Sequence, residues 1–301
     1  MRTRLREART VVVKIGTSSL LDERGLLDLP VVTRHLRDLV ALSRGGVRGI
    51  LVSSGAIGVG RVKLGYAARP TTMPELQATA AVGQSLLMNT YNTLLAQEGW
   101  MVAQLLVTHD DFQDRRRYLN LRNTLAALHG KPVLPVFNEN DTVAVDEIRF
   151  GDNDTLAALV AGLVGADVTV LFTDVDGFHL DGHRLDDVSE ITPAMELAAG
   201  PGRGSGGMRS KLGAVAAITR AGGAAVIAHG KQHGIAEILR GDAIGTMFAP
   251  RGTLDPRSRW LHALKDEGRV RVDAGTVTAL RAGGRSLLPV DVRAALIEFG
   301  S

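Results

Sequence analysis

The chain has 301 residues, 45% of them apolar, with a net charge of +3 and no cysteine. That length can bury a large core as one domain or two, and the missing thiols exclude disulfides, Cys-ligated zinc, iron–sulfur clusters and thiol nucleophiles. Aromatic residues make up only 4%, so a nucleic-acid groove with stacking platforms is disfavoured and small-molecule chemistry is expected.

The Arg-bearing start, MRTRLREAR, runs straight into strand-like TVVVKIG with no signal-peptide core. No apolar run approaches the ~20 residues of a membrane span, so we expect a cytoplasmic protein with no membrane partner. Strand-length apolar runs then alternate with amphipathic segments: VVVKI before 28–43, GILVSS before helical stretches within 55–98, MVAQLLV before 109–129, then PVLPVF. Further along come VTVLFTDV, a helix from about Met208 to Ala221, AAVIAHG, a helix through Ile235 to Leu239, and TMFAP. This is the βα pattern of a mostly parallel sheet covered on both faces, so the expected fold is α/β, in a doubly wound domain ending near residue 250. RGTLDPRSRW reads as a linker, and RVRVDAG and LLPV beyond it, between Gly-rich turns, are too short to bury a core of their own.

Candidate chemistry sits where these elements end. Lys14 closes an apolar run, and a lysine is rarely buried without a partner, although an edge lysine could snorkel there. Ser53, Ser54 and Gly55 follow GILV in a small-residue turn where backbone could approach a ligand. Asn138, Glu139, Asn140 and Asp141 follow the buried run Val133–Phe137, at the carboxyl end where open α/β sheets bind ligands. Asp152, Asn153, Asp154 and Thr155 open a segment with Leu156, Leu159, Val160, Leu163 and Val164 at helical spacing, a terminus that favours anions. Either cluster alone also fits a helix cap and polar loop; their proximity argues for a site. Thr173 and Asp174 end VTVLF, again in a possible plain turn.

The stretch Gly200–Lys211, GPGRGSGGMRSK, leads five glycines into a helix, and backbone N–H groups of such a loop can cradle phosphates. Lys211 falls in the first helical turn, where a cation opposes the macrodipole unless an anion is near. Only six of the 35 basic residues are lysines (14, 63, 131, 211, 231 and 265). Two of them stand beside Gly-rich turns, where a compact ammonium suits a moving phosphoryl group better than a guanidinium fork. No GxxxxGK[ST] exists, which excludes a P-loop NTPase. Gly202, Gly204 and Gly207 match GxGxxG without the preceding strand or the downstream acid of a dinucleotide site.

The segments VVVKIGTSSL, VSSGAIGVG, THDDFQDRRRYLNLRNTL, PVFNENDTVAVDEIRFGDND, LFTDVDG and GSGGMRSK together resemble the glutamate 5-kinases of the amino acid kinase superfamily, over about residues 10–250. The resemblance implies the superfamily's three-layer α/β/α sandwich and phosphorylation of the L-glutamate side chain by ATP with Mg²⁺, opening proline biosynthesis. It also implies proline as a feedback inhibitor and a homo-oligomer. Position by position, it implies that Lys14 and Lys211 flank the transferring phosphoryl group while Asp154 holds both ammonium groups. Ser54, Asp141 and Asn153 would bind glutamate, with Asn138 and Gly55 lining the same pocket. Lys14, Thr173 and Asp174, together with Ser205, Gly206, Gly207, Met208, Arg209, Ser210 and Lys211, would bind ATP; no metal ligand is assigned. Ser205 and Ser210 stand where the family has Thr, with a hydroxyl retained at both. GRVRVDAGTVTALRAGGRSLLPVDV resembles the opening of a PUA domain, so the expected division is a kinase domain at 1–250 and a linker with an incomplete, β-rich PUA-like segment at 251–301. The competing readings are another amino acid kinase, an RNA-binding protein built around the tail, and a sensor without turnover.

Overall fold

The computed structural model describes residues 1–144, 153–200, 207–252, 258, 268–281 and 292–297, and the chain divides into two compact units, Met1–Ala263 and Leu264–Ser301. After a 3₁₀ turn at Arg2–Glu7, the first unit runs β1 (Thr10–Ile15), α1 (Thr17–Leu20), α2 (Leu29–Arg44), β2 (Arg48–Val52), α3 (Ala56–Lys63), α4 (Met73–Ala96) and β3 (Met101–Val107). It continues with α5 (His109–Gln113), α6 (Arg115–Leu128), β4 (Val133–Glu139), α7 (Asn153–Val164), β5 (Val168–Thr173), β6 (His179–Leu180), β7 (His183–Arg184) and β8 (Asp187–Val188). α8 (Pro193–Ala198), α9 (Met208–Arg220), β9 (Ala224–His229), α10 (Ile235–Leu239) and β10 (Thr246–Phe248) complete it.

Among the described residues one sheet of eight strands runs in the order β3-β4-β2-β1-β5-β9-β10-β8. Every pairing in it is parallel except β10 against β9. The expected α/β sandwich with a mostly parallel sheet is therefore what the chain forms. The reversed β10 was not foreseen, because a short apolar run such as TMF carries no signal of direction.

Strand β1 shows how the sequence dictates burial. It is central, between β2 and β5, and Val11 through Ile15 are all buried, as expected for a strand covered on both faces. Side chains alternate along it: Val11, Val13 and Ile15 enter the apolar layer shared with α2, α4 and α10, while Val12 enters the layer shared with α7 and α9. Lys14 has the parity of Val12. A period of two thus sends its ammonium toward the helices that carry Asp154 and Lys211.

Two helical features bear on the site. Helix α2 is capped by Asp28, which accepts a hydrogen bond from Val31 N–H, and its buried stripe of Val31, Val32, His35, Leu36, Leu39 and Val40 follows helical spacing, with one histidine among the hydrocarbons. Helices α3 and α4 meet backbone to backbone: a Cβ at Gly60 would collide with the Thr79 carbonyl oxygen, and one at Gly83 with that of Ala56. The amphipathic segment over 109–129 forms two helices, since Asp114 is extended and its side chain caps α6 by accepting from Arg117 N–H.

In the second unit β11 (Gly268–Val272) pairs antiparallel with β12 (Val292–Ile297), and α11 (Ala274–Arg281) lies between them in sequence. The LLPV run expected here falls at 287–290, outside the described residues, as does most of the expected linker.

Candidate active site

One carboxylate organises the site. Asp154, second residue of α7, is 0% exposed, and its two oxygens take separate lysines: Lys14 Nζ lies 2.7 Å from Oδ1 and Lys211 Nζ 3.1 Å from Oδ2. Both lysines are themselves buried. A carboxylate in the first turn of α7 is favoured by that helix's macrodipole, whereas Lys211, fourth residue of α9, sits where the dipole opposes it. Asp154 offsets that penalty. The snorkelling reading of Lys14 is excluded, because β1 is no edge strand and the lysine head is ion-paired. Two ammonium groups on one carboxylate leave the cluster with a surplus positive charge.

That surplus opens onto a cleft of about 690 Å³ at the carboxyl ends of β1, β2, β4 and β5. Of the residues singled out from sequence, Lys14, Ser54, Gly55, Asn138, Asp141, Asn153, Thr173, Asp174 and Lys211 all line it, with Asp154 directly beneath the lysines. Gly207, which caps α9, and Met208, Arg209 and Ser210 in its first turn are not among the lining residues. Ser205 and Gly206, with Gly202, Gly204 and Asp152, lie outside the described residues.

At one end of the cleft the polar side chains hold each other. The Asn153 amide nitrogen is 2.8 Å from both Ser53 O and Ser54 Oγ and 3.1 Å from Asn138 Oδ1. Asn138 in turn donates to Gln84 Oε1 at 2.8 Å. Ser53 Oγ meets the hydroxyl of Tyr91 at 2.9 Å; burial pushes that phenol up to about 12, so it stays protonated. Gly55, at φ 92, makes the left-handed turn that ends β2 and starts α3, bringing Ala56, Ile57 and Gly58, whose N–H groups open the first helical turn, to the cleft wall.

At the other end the Thr173 carbonyl accepts from Ser19 Oγ at 3.1 Å and from Gly230 N–H at 2.9 Å, while Thr173 Oγ1 donates to Asp174 Oδ1 at 2.9 Å. The Gly230 carbonyl is held from below by His35 Nε2 and Arg34 Nη2, both at 2.8 Å. A carbonyl can only accept, so Nε2 of His35 carries the proton and Nδ1 a lone pair, buried without a partner among the described residues. His35 packs on Phe172, ring centroids 4.5 Å apart, and burial drives its pKa down to about 4.

Sequence reasoning did not single out Gly16, Thr17, Ser18, Arg61 or Arg69, which also line the cleft. A Cβ at Gly16 would lie 3.6 Å from Lys14 Nζ, so its absence leaves room for a ligand beside the ammonium. Arg61 was detectable, one helical turn beyond Ile57 on the same face of α3. Nothing in the loop sequence marked Arg69. Among the described residues no group of three or more His, Asp or Glu side chains is arranged to hold a metal ion.

Residues 9–229 match the amino acid kinase family. The glutamate 5-kinase of Moorella thermoacetica is 48% identical, aligned over 99% of this chain and 82% of its own. That of Gloeobacter violaceus is 50% identical over 94% of this chain and 81% of its own, and that of Ectopseudomonas mendocina 45% identical over 99% and 84%. In fold, the chain is similar to carbamate kinase from Giardia lamblia bound to AMP-PNP, with a TM-score of 0.59 at 18% identity, covering 82% of this chain and 100% of that one.

Proposed function

The chain belongs to the amino acid kinase family, within its glutamate 5-kinases, and on that premise we propose how its cleft converts L-glutamate and ATP to L-glutamyl 5-phosphate and ADP, the first step of proline biosynthesis. The observation that carries the proposal is the pair of buried lysines on one buried carboxylate, opening onto the cleft.

The nucleophile is the substrate's own side-chain carboxylate. With a pKa of ~4.3 it is ionised at neutral pH, so no general base is needed. Its oxygen forms a bond to the γ-phosphorus as the bond to the β–γ bridging oxygen breaks and ADP departs. What the protein supplies is alignment and positive charge for the phosphoryl oxygens. Lys14 and Lys211 take that role, and Asp154 positions them by keeping two like charges side by side. At the amide-rich end, Asp141 receives the α-ammonium of glutamate, and Ser54, Asn138, Asn153 and the turn at Gly55 fix the rest of the molecule. Thr173 and Asp174, with the glycine loop through Ser205, Gly206 and Gly207 and the turn Met208–Lys211, receive ATP.

Mg²⁺ fits as a partner of the nucleotide phosphates, since magnesium keeps several waters and needs only one or two protein carboxylates. Asp154 is committed to the lysines, and of the other carboxylates lining the cleft, Glu139, Asp141 and Asp174, the one beside Thr173 at the nucleotide end, Asp174, would face it. Bound there, the ion would neutralise charge on the phosphates.

Proline is proposed as an inhibitor that shares the Asp141 anchor through its secondary ammonium. A homo-oligomer and a cytoplasmic location are proposed with it; among the described residues no helix is long and apolar enough to cross a membrane. Residues 1–250 are proposed as the kinase domain, and 251–301 as linker and PUA-like segment.

The product is an acyl phosphate, so hydroxylamine tests the whole reading. Turnover with ATP should yield the γ-glutamyl hydroxamate from glutamate and little product from aspartate or N-acetylglutamate. Equal hydroxamate from N-acetylglutamate would overturn the role given to Asp141.

A further inference from the structure

At the opposite edge of the sheet, the amino ends of β2, β3 and β4 enclose a second cavity of about 390 Å³, within the size range of small-molecule sites. Five residues of β2, from Arg48 to Val52, separate it from the catalytic cleft. One part of its wall is apolar, with Trp100, Leu125 and Leu128. The other part carries the cations Arg48 and Lys131 beside the His129 imidazole, and among the described residues no Asp or Glu lines it. Arg44 also reaches it but is taken by Glu98, donating to Oε2 at 3.0 Å and to the backbone carbonyl at 2.7 Å.

Arg48 is the anomaly. Its guanidinium is half-buried, and Nη2 is sealed from solvent with no hydrogen-bond partner among the described residues. Buried donors in folded proteins are almost always paired, because stripping water from one without replacement is costly. Burial accordingly pulls the Arg48 pKa below its usual value. A carboxylate in the cavity would meet the part of the Arg48 side chain that lines it, and Lys131 adds to its attraction. A bare inorganic anion would leave the indole and leucine wall wet, and a neutral aromatic would leave Arg48 unpaired.

We propose that this cavity is a second binding site, taking a small carboxylate that carries an apolar body, with the carboxylate on Arg48 and the body against Trp100, Leu125 and Leu128. Its contacts are confined to the amino ends of the strands, so the glutamate kinase reaction does not depend on them.

Trp100 is a built-in reporter, since the chain has two tryptophans and Trp260→Phe leaves it as the sole indole. In that background, phenylacetate titrated into the 301-residue chain should change Trp100 emission saturably. Benzyl alcohol, which lacks the charge, and inorganic phosphate, which lacks the apolar body, should each bind at least about tenfold more weakly. Arg48→Gln should weaken phenylacetate about tenfold or more, with glutamate turnover and melting temperature preserved. If Arg48→Gln fails to fold, Lys131→Gln carries the same expected loss. No saturable response to phenylacetate, phosphate binding as tightly as phenylacetate, or undiminished affinity in the folded variant would each overturn the proposal.

Discussion

Buried, neutral and bonded to a loop that supports Thr173, His35 should impose a pH dependence on stability that one substitution removes. In the fold its pKa is lowered from 6.5 to about 4, chiefly by burial, with the Arg34 charge adding to the depression and the Gly230 hydrogen bond opposing it. A tenfold change in proton affinity is worth about 1.4 kcal/mol, so the depression corresponds to about 3 kcal/mol. The sign follows from which state binds the proton. Below pH 6.5 the unfolded chain protonates this histidine and the folded chain does not, so its contribution is complete above 6.5, declines as pH falls, and is gone below about 4. Midway, stability should drop by about 1.4 kcal/mol per pH unit from this residue alone. The assay is urea unfolding at several pH values from 7.5 to 4.5, for the parent chain and His35→Gln, which keeps an N–H donor toward Gly230 O. Acids such as Asp38, whose pKa burial raises, titrate in both proteins, so the difference between the two slopes isolates His35. Equal slopes between pH 6.5 and 4.5 would refute the reasoning.

Removing either lysine head, by Lys14→Ala or Lys211→Ala, should lower kcat on the order of 10² to 10³-fold in a folded protein, and near-normal kcat in both would end their assignment. Lys211→Arg should also be poor, because a planar fork does not fit where Asp154 holds a point ammonium at 3.1 Å. Asp154→Asn should cost about 3–5 kcal/mol in thermal or urea melts, since two buried ammonium groups lose their shared counter-ion, and kcat should fall with it; an unchanged melt would contradict the ion-pair geometry. Asp141→Asn should raise the KM for glutamate by roughly 10 to 100-fold and weaken proline inhibition in parallel, with the KM for ATP little changed. A raised glutamate KM with proline inhibition untouched would separate the two sites.

The legibility of the chain followed the range of the forces involved. Strand β3 and helix α10 fall where periodicity put them, because alternation and helical spacing are local properties of the sequence. Lys14 and Asp154 were visible as anomalies, a cation at the end of an apolar strand and an acid opening an apolar helix, and burial turned both into partners. His35 gave no such signal: on an amphipathic stripe it reads as one more core position, and only the approach of Gly230 and Phe172, far away in sequence, gives it a task. Arg69 and the reversed β10 likewise depend on tertiary placement. The amphipathic pattern over 109–129 did not locate the break at Asp114, because a capping aspartate inside a charged run, QDRRR, resembles ordinary helix surface.

The contact between α3 and α4 limits what this scaffold could become. With Gly60 lying on the Thr79 carbonyl and Gly83 on that of Ala56, the helix that begins at the Ser54–Gly55 turn is seated backbone to backbone on α4, and a Cβ at either glycine would force the two apart. The wall of the cleft that α3 builds therefore shares its position with α4. A descendant enzyme acting on a longer amino acid would have to gain room by trimming side chains elsewhere in the cleft or by shifting both helices together, a change no single substitution delivers. New substrates of similar length are within reach of a few surface replacements in the cleft; longer ones call for a different gene history, in which that helical crossing is rebuilt.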